Sequence, residues 1–156
     1  SGDFRQTYNM IACISGNPLK DKHSVYTIGK ANGTAEAFMA FCLLMVESGW
    51  LRHDEVIVMD NAGIHTGGDC KEIEEFFWDT VVDNKPLHVL VIYLPTRSPE
   101  LNPIELIFHI FSKRVVSYRL RENGGPVDRA IIRYGTQVLD ELAYETVLRC
   151  YQHCGY

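Results

Sequence analysis

Val56-Ile57-Val58-Met59-Asp60-Asn61-Ala62-Gly63-Ile64-His65-Thr66 places four apolar residues directly before a carboxylate, an amide and, soon after, a histidine. A short apolar run bounded by turn residues reads as a central strand, buried on both faces. In an open α/β sheet the carboxyl end of such a strand is where ligands bind. Asp60 is therefore a candidate ligand residue. Taken alone it is equally well a turn acid.

On the C-terminal side, Asp69 with Glu72 three residues later forms a capping-box pattern that predicts a helix with Ile73, Phe76 and Phe77 as its apolar stripe. Leu87 to Leu94 (LHVLVIYL) predicts a second buried strand. A loop with Pro95, Pro99 and Pro103 follows, then a long helix from Ile104 to about Leu120. Its core stripe would be Ile104, Ile107, Phe108, Phe111 and Val115. Val127 to Cys154 reads as one further helix or a pair, with Gly135 as a break. On the N-terminal side, Tyr8–Ile14 and His23–Ile28 flank the turn residues Ser15-Gly16-Asn17-Pro18 and predict a hairpin. Thr34 suits the N-cap of a helix from Ala35 to about Ser48, with Phe38, Phe41, Cys42 and Met45 buried and Gly49 as its stop. A hairpin followed by strand–helix alternation predicts an α/β domain with a mixed central sheet flanked by helices.

The bulk numbers agree with one globular domain over residues 1–156. The chain is 46% apolar and 22% charged, with a formal net charge of −5. No apolar run reaches the length of a membrane span and no secretory signal opens the chain, which leads us to expect an intracellular protein, nuclear in a eukaryote, with no membrane partner. Five scattered cysteines read as reduced thiols. Cys150-x-x-His153-Cys154 offers only three metal ligands on about one helical turn, fewer than a structural zinc site takes.

A second acid has a distinct address. Asn102 fits an N-cap, Pro103 the first helical position and Glu105 the third. Glu105 thus has a complete structural role in a capping box. Yet Asp60 and Glu105 both follow apolar strands. If those strands are neighbours, the two acids face one cleft. Carboxylates gathered at one site repel one another unless a cation joins them, and oxygen ligands suit Mg²⁺ or Mn²⁺. Such a site performs in-line phosphoryl displacement.

At this point the chain resembles a known family. Asp60-Asn61 with His65 after an apolar strand, and then Ser98-Pro99-x-Leu101-Asn102-Pro103-Ile104-Glu105 before a basic helix, are similar to the DDE superfamily of transposase endonucleases, in its mariner-like branch. The resemblance implies an RNase H-like fold and divalent-metal-dependent cutting and joining of DNA. It implies that Asp60 is the second acid and Glu105 the third, both metal ligands, with Asn61, His65, Ser98, Pro99, Asn102 and Pro103 supporting them. Arg97, Lys113, Arg114, Arg119 and Arg121 lie around the Glu105 helix and would neutralise DNA phosphates without reading sequence. Transposon ends and target DNA are the implied partners, with a homodimer as a further expectation.

The family's first acid ends a strand that precedes the one at Tyr8–Ile14. Asp3 has no strand before it and Asp21 falls in the hairpin turn. The expectation is therefore a sheet lacking its first strand, a two-metal site short of one acid, and no cleavage by this chain alone. Two other readings stay open: a decayed or domesticated transposon remnant that binds DNA or protein without catalysis, and another RNase H-like nuclease.

Overall fold

The computed structural model describes residues 9–29, 34–60, 70–95, 97–121 and 127–156; the side chains of 118–121 and 127–131 lie outside that description. The expectations for Tyr8, Asn61, His65 and Asp69 fall on residues outside it, as do those for the side chains of Arg119 and Arg121. The chain divides into two compact units. A central unit spans Gly33–Asn102, and a discontinuous unit joins Ser1–Asn32 to Pro103–Tyr156.

The discontinuous unit begins with an antiparallel hairpin of β1 (Asn9–Ile14) and β2 (Ser24–Gly29). The register pairs Met10 with Ile28, Ala12 with Tyr26 and Ile14 with Ser24. Side chains alternate across a strand, so Met10, Ile14, Tyr26 and Ile28 share the face that meets the core. Ser15 N–H donates to His23 O at 2.9 Å and closes the hairpin base. Three helices follow: α3 (Pro103–Arg121), α4 (Val127–Asp140) and α5 (Tyr144–His153). Ile107 of α3, Leu139 of α4, Val147 and Cys150 of α5, and Ile14 of β1 form one buried cluster with Leu142. Ile104, Ile107, Phe111 and Val115 lie on the buried or partly buried side of α3, as their helical spacing predicts.

Gly135 does not break α4. The helix runs through it, and the break falls at residues 141–143. The reason is steric. A Cβ at Gly135 would lie 2.7 Å from the Phe111 ring and 3.2 Å from Ile28 Cδ1. Glycine is the residue that lets α4 sit against α3 and β2 at this spacing. The roughly 1 kcal/mol that glycine costs a helix interior is offset by that packing.

In the central unit, α1 (Ala35–Glu47) is capped by Thr34, whose hydroxyl accepts from Ala37 N–H at 3.1 Å. Phe38, Phe41, Cys42, Met45 and Val46 are its buried face. Gly49, at φ +75°, ends it and donates to Val46 O. Strand β3 (Val56–Met59) then pairs in parallel with β6 (Leu90–Tyr93), Met59 opposite Tyr93. Between them lie α2 (Cys70–Asp79), which packs on β6, and a small hairpin of β4 (Val81–Val82) and β5 (Lys85–Pro86).

Two expectations change here. Strand β6 is shorter than Leu87–Leu94 because His88 adopts φ +51°, a left-handed conformation that ends the extended run. The single mixed central sheet is also not what the ladders show. Among the described residues the strands form three two-stranded sheets, two antiparallel and one parallel. Strand β3 is accordingly not buried on both faces. Ile57 and Met59 are buried, while Val56 is 53% exposed, and on β6 Leu90 and Ile92 are exposed. One face of the β3–β6 pair is packed and the other is apolar but open. The class that holds is mixed α/β.

Candidate functional site

Asp60 is the first residue after β3 and is half-buried. The parallel pairing puts the carboxyl ends of β3 and β6 side by side, and Leu94 N–H donates to Met59 O at 2.9 Å just beyond the ladder. Asp60 therefore leaves β3 beside the start of the loop that leaves β6. The two apolar strands are thus neighbours, which is the condition the sequence left open for Asp60 and Glu105.

That loop is built to hold a shape. Pro95 follows the strand, and Arg97, exposed, adopts φ +58°. A non-glycine residue there is uncommon and carries backbone strain, held by what surrounds it. Pro99–Leu101 forms one 3-10 turn, closed by Leu101 N–H to Ser98 O at 3.1 Å and Asn102 N–H to Pro99 O at 3.0 Å. Asn102 is 8% exposed, extended in backbone, and stands directly before the first residue of α3, Pro103. Proline fits this position because its ring presets φ and its missing N–H would have no helical acceptor. Glu105 then lies in the first turn, half-buried, where a carboxylate is favoured by the helix dipole.

Ser98, Pro99, Asn102, Pro103 and Glu105 thus share one continuous loop–turn–helix segment. Asp60 belongs to the central unit and Glu105 to the discontinuous one, with the boundary at Asn102–Pro103. Lys113 and Arg114 are exposed on α3. His109 is a residue the sequence reading passed over. It is exposed and lies one helical turn from Glu105, at i+4, with Lys113 a further four residues along. Counting in fours from Glu105 is the signal that finds it. Among the described residues, no three His, Cys, Asp or Glu side chains gather as a metal-holding cluster. At the end of α5, burial and then the neighbouring Cys154 push the Cys150 thiol up, so it stays protonated near neutral pH. No described helix is long and apolar enough to cross a membrane.

A family model described as DDE superfamily endonuclease matches residues 5–123, which include Asp60, the whole Ser98–Glu105 segment and all of α3. The chain belongs to that family. No curated protein and no solved structure matches it.

Proposed function

We propose that the chain carries the second and third acids of a mariner-like DDE transposase catalytic domain, and that without the family's first acid it does not cleave DNA by itself. In this reading the fold is RNase H-like, and Asp60 and Glu105 supply carboxylates to a divalent-cation site that acts on transposon ends and target DNA. The observation that carries it is the β3–β6 pair. One strand ends just before Asp60; the other leads through the proline-stiffened loop into the helix that starts at Pro103 and carries Glu105 in its first turn.

The donor set fits the implied ion. Two carboxylates offer hard oxygen ligands, and Mg²⁺ or Mn²⁺ completes its shell with water. Bound there, the ion would activate a water or a DNA 3′-hydroxyl and offset charge at the phosphate. The chain's own residues do the positioning. Pro95, Pro99 and Pro103 limit the conformations open to the segment before Glu105. Asn61 would orient Asp60, and His65 would contact the DNA backbone. Arg97, Lys113 and Arg114, with Arg119 and Arg121 further along α3, would neutralise phosphates. His109 would meet the same backbone one turn beyond Glu105.

Calorimetric titration with Mn²⁺ tests the shared site. Asp60→Asn and Glu105→Gln should each weaken Mn²⁺ binding by at least about tenfold, a loss of ~1.4 kcal/mol. The double variant should lose much less than the sum, since groups that hold one ion are coupled. Parent-like affinity in either single variant, or fully additive losses, would overturn the assignment.

A further inference from the structure

We propose that the amino end of the β3–β6 pair, opposite the end that carries Asp60, docks a basic peptide segment of a partner protein, with Trp78 as the anchor. Trp78 is the last residue but one of α2 and is 46% exposed; Val81, three residues on, is 62% exposed. The Trp78 ring rests on His88, centroids 4.6 Å apart and planes at 31°. His88 N–H also donates to Trp78 O at 3.1 Å. The indole is therefore held from both its backbone and one ring face, and is presented rather than buried.

The ground beneath it is rigid and strained. Asp83 and Asn84 both have left-handed φ, at +53° and +64°, and turn the β4–β5 hairpin tightly. His53 Nε2 lies 2.9 Å from Val82 O and 3.3 Å from Lys85 O. Both partners are acceptors, so Nε2 carries the proton and straps the two arms of the hairpin together. Asp54, at φ +64°, donates its N–H to Leu87 O at 2.9 Å. Four of the five left-handed non-glycine residues in the described chain (Asp54, Asp83, Asn84 and His88) thus fall around one hairpin. Such conformations persist where the surroundings over-determine them, and they cluster at binding surfaces.

Charge chooses the occupant. The central unit holds twelve acidic and four basic residues, a net of −8. Asp54, Asp79 and Asp83 are exposed along this end and outnumber the exposed Arg52 and Lys85 beside them. At this end, away from Asp60, the acidic excess disfavours a phosphate backbone and favours a cationic segment. An exposed indole is the best side-chain face for an arginine or lysine. Tryptophan is also the residue type that most often dominates interface energies. A preformed aromatic shelf in an acidic setting fits a basic protein segment with apolar side chains between its charges.

The test uses a short lysine–leucine peptide and a glutamate–leucine peptide of equal length. The chain has two tryptophans, so Trp50→Phe leaves Trp78 as the only indole reporter. The lysine peptide should change Trp78 emission saturably and the glutamate peptide should not. By anisotropy of labelled peptide, Trp78→Ala should weaken binding about tenfold, and Val81→Ser and the Asp79→Asn/Asp83→Asn pair about threefold each. Val81 is exposed enough that Val81→Ser keeps the test valid should Trp78→Ala fail to fold. Equal binding of both peptides, unchanged affinity in Val81→Ser and the charge pair, or preferential binding of single-stranded DNA would overturn the proposal. So would self-association that Val81→Ser abolishes, because the occupant would then be a second copy of this chain.

Discussion

The central unit carries twelve acidic and four basic residues; the discontinuous unit carries eight acidic and eleven basic. Their net charges, −8 and +3, lie behind a whole-chain value of −5. The same division separates the two candidate acids and most of the candidate phosphate contacts. Asp60 leaves a strand of the acidic unit; Glu105, Lys113 and Arg114 sit on a helix of the basic one. A net charge of −5 argues against DNA binding only if charge is spread evenly, and here it is not. Long-range fields act by local distribution, so the whole-chain value describes neither unit.

Three measurements sharpen or break this contrast. The largest effect concerns whether each unit has its own core. Phe77 is fully buried in the central unit and Leu139 is 1% exposed in the other. Phe77→Ala should cost about 3–5 kcal/mol and Leu139→Ala about 2–5 kcal/mol in denaturant unfolding. Hydrogen exchange should locate each loss within the unit that holds the residue. Equal loss of protection across both units in either variant would mean that the cores are not separate. The middle effect concerns charge. Lys113→Glu with Arg114→Glu should weaken duplex DNA binding at least tenfold (~1.4 kcal/mol) and lower the salt slope by about 2. Arg52→Glu with Lys71→Glu, in the acidic unit, should leave both unchanged. Equal losses from the two pairs would remove the distinction.

The smallest effect belongs to Tyr26. Its hydroxyl donates to Asp140 Oδ1 at 2.7 Å, tying β2 to the end of α4. Burial first, and then that carboxylate, push its pKa from 10.0 up to about 12. The fold holds the neutral phenol more tightly than the unfolded chain does. Its contribution is therefore complete below pH 10 and is lost as pH rises from 10 to 12. Tyr26→Phe should cost ~0.5–1 kcal/mol at neutral pH. It should also flatten part of the stability loss between pH 10 and 12. Some slope should remain, because burial raises the Tyr151 hydroxyl to about 12 as well. A parent-like pH profile in Tyr26→Phe would show that this link is not formed in solution.

Much of the fold was legible because local chemistry specified it. Thr34 and Gly49 bracket α1, Pro103 opens α3, and alternation around Ser15–Pro18 marks the hairpin. What local patterns do not encode is which strands join. Val56–Met59 is apolar throughout, as a strand buried on both faces would be, yet one of its faces stays open. The β4–β5 hairpin was missed although Asp83-Asn84 between Val82 and Lys85 is a turn signal; two-residue arms are too short to show alternation. Gly135 was misread because a glycine that lowers helix propensity and one that makes room for a ring look alike in sequence. Of the candidate segment, Pro103 as the first residue of α3 and Glu105 in its first turn could be read, since helix starts have strict spacing, whereas the 3-10 turn at Pro99–Leu101 could not. His109 was overlooked because its relation to Glu105 depends on helical geometry rather than on a motif.

Gly135 has a further consequence, for the tolerance of α4 to change. Its bare Cα faces the Phe111 ring, and its neighbours Tyr134 and Thr136 both carry side chains. Sliding α4 by one residue in either direction would drive a side chain into that ring. One missing methyl group therefore fixes the axial register of the helix as well as its distance from α3. Insertions or deletions within α4 should be far less tolerated than point substitutions on its exposed side.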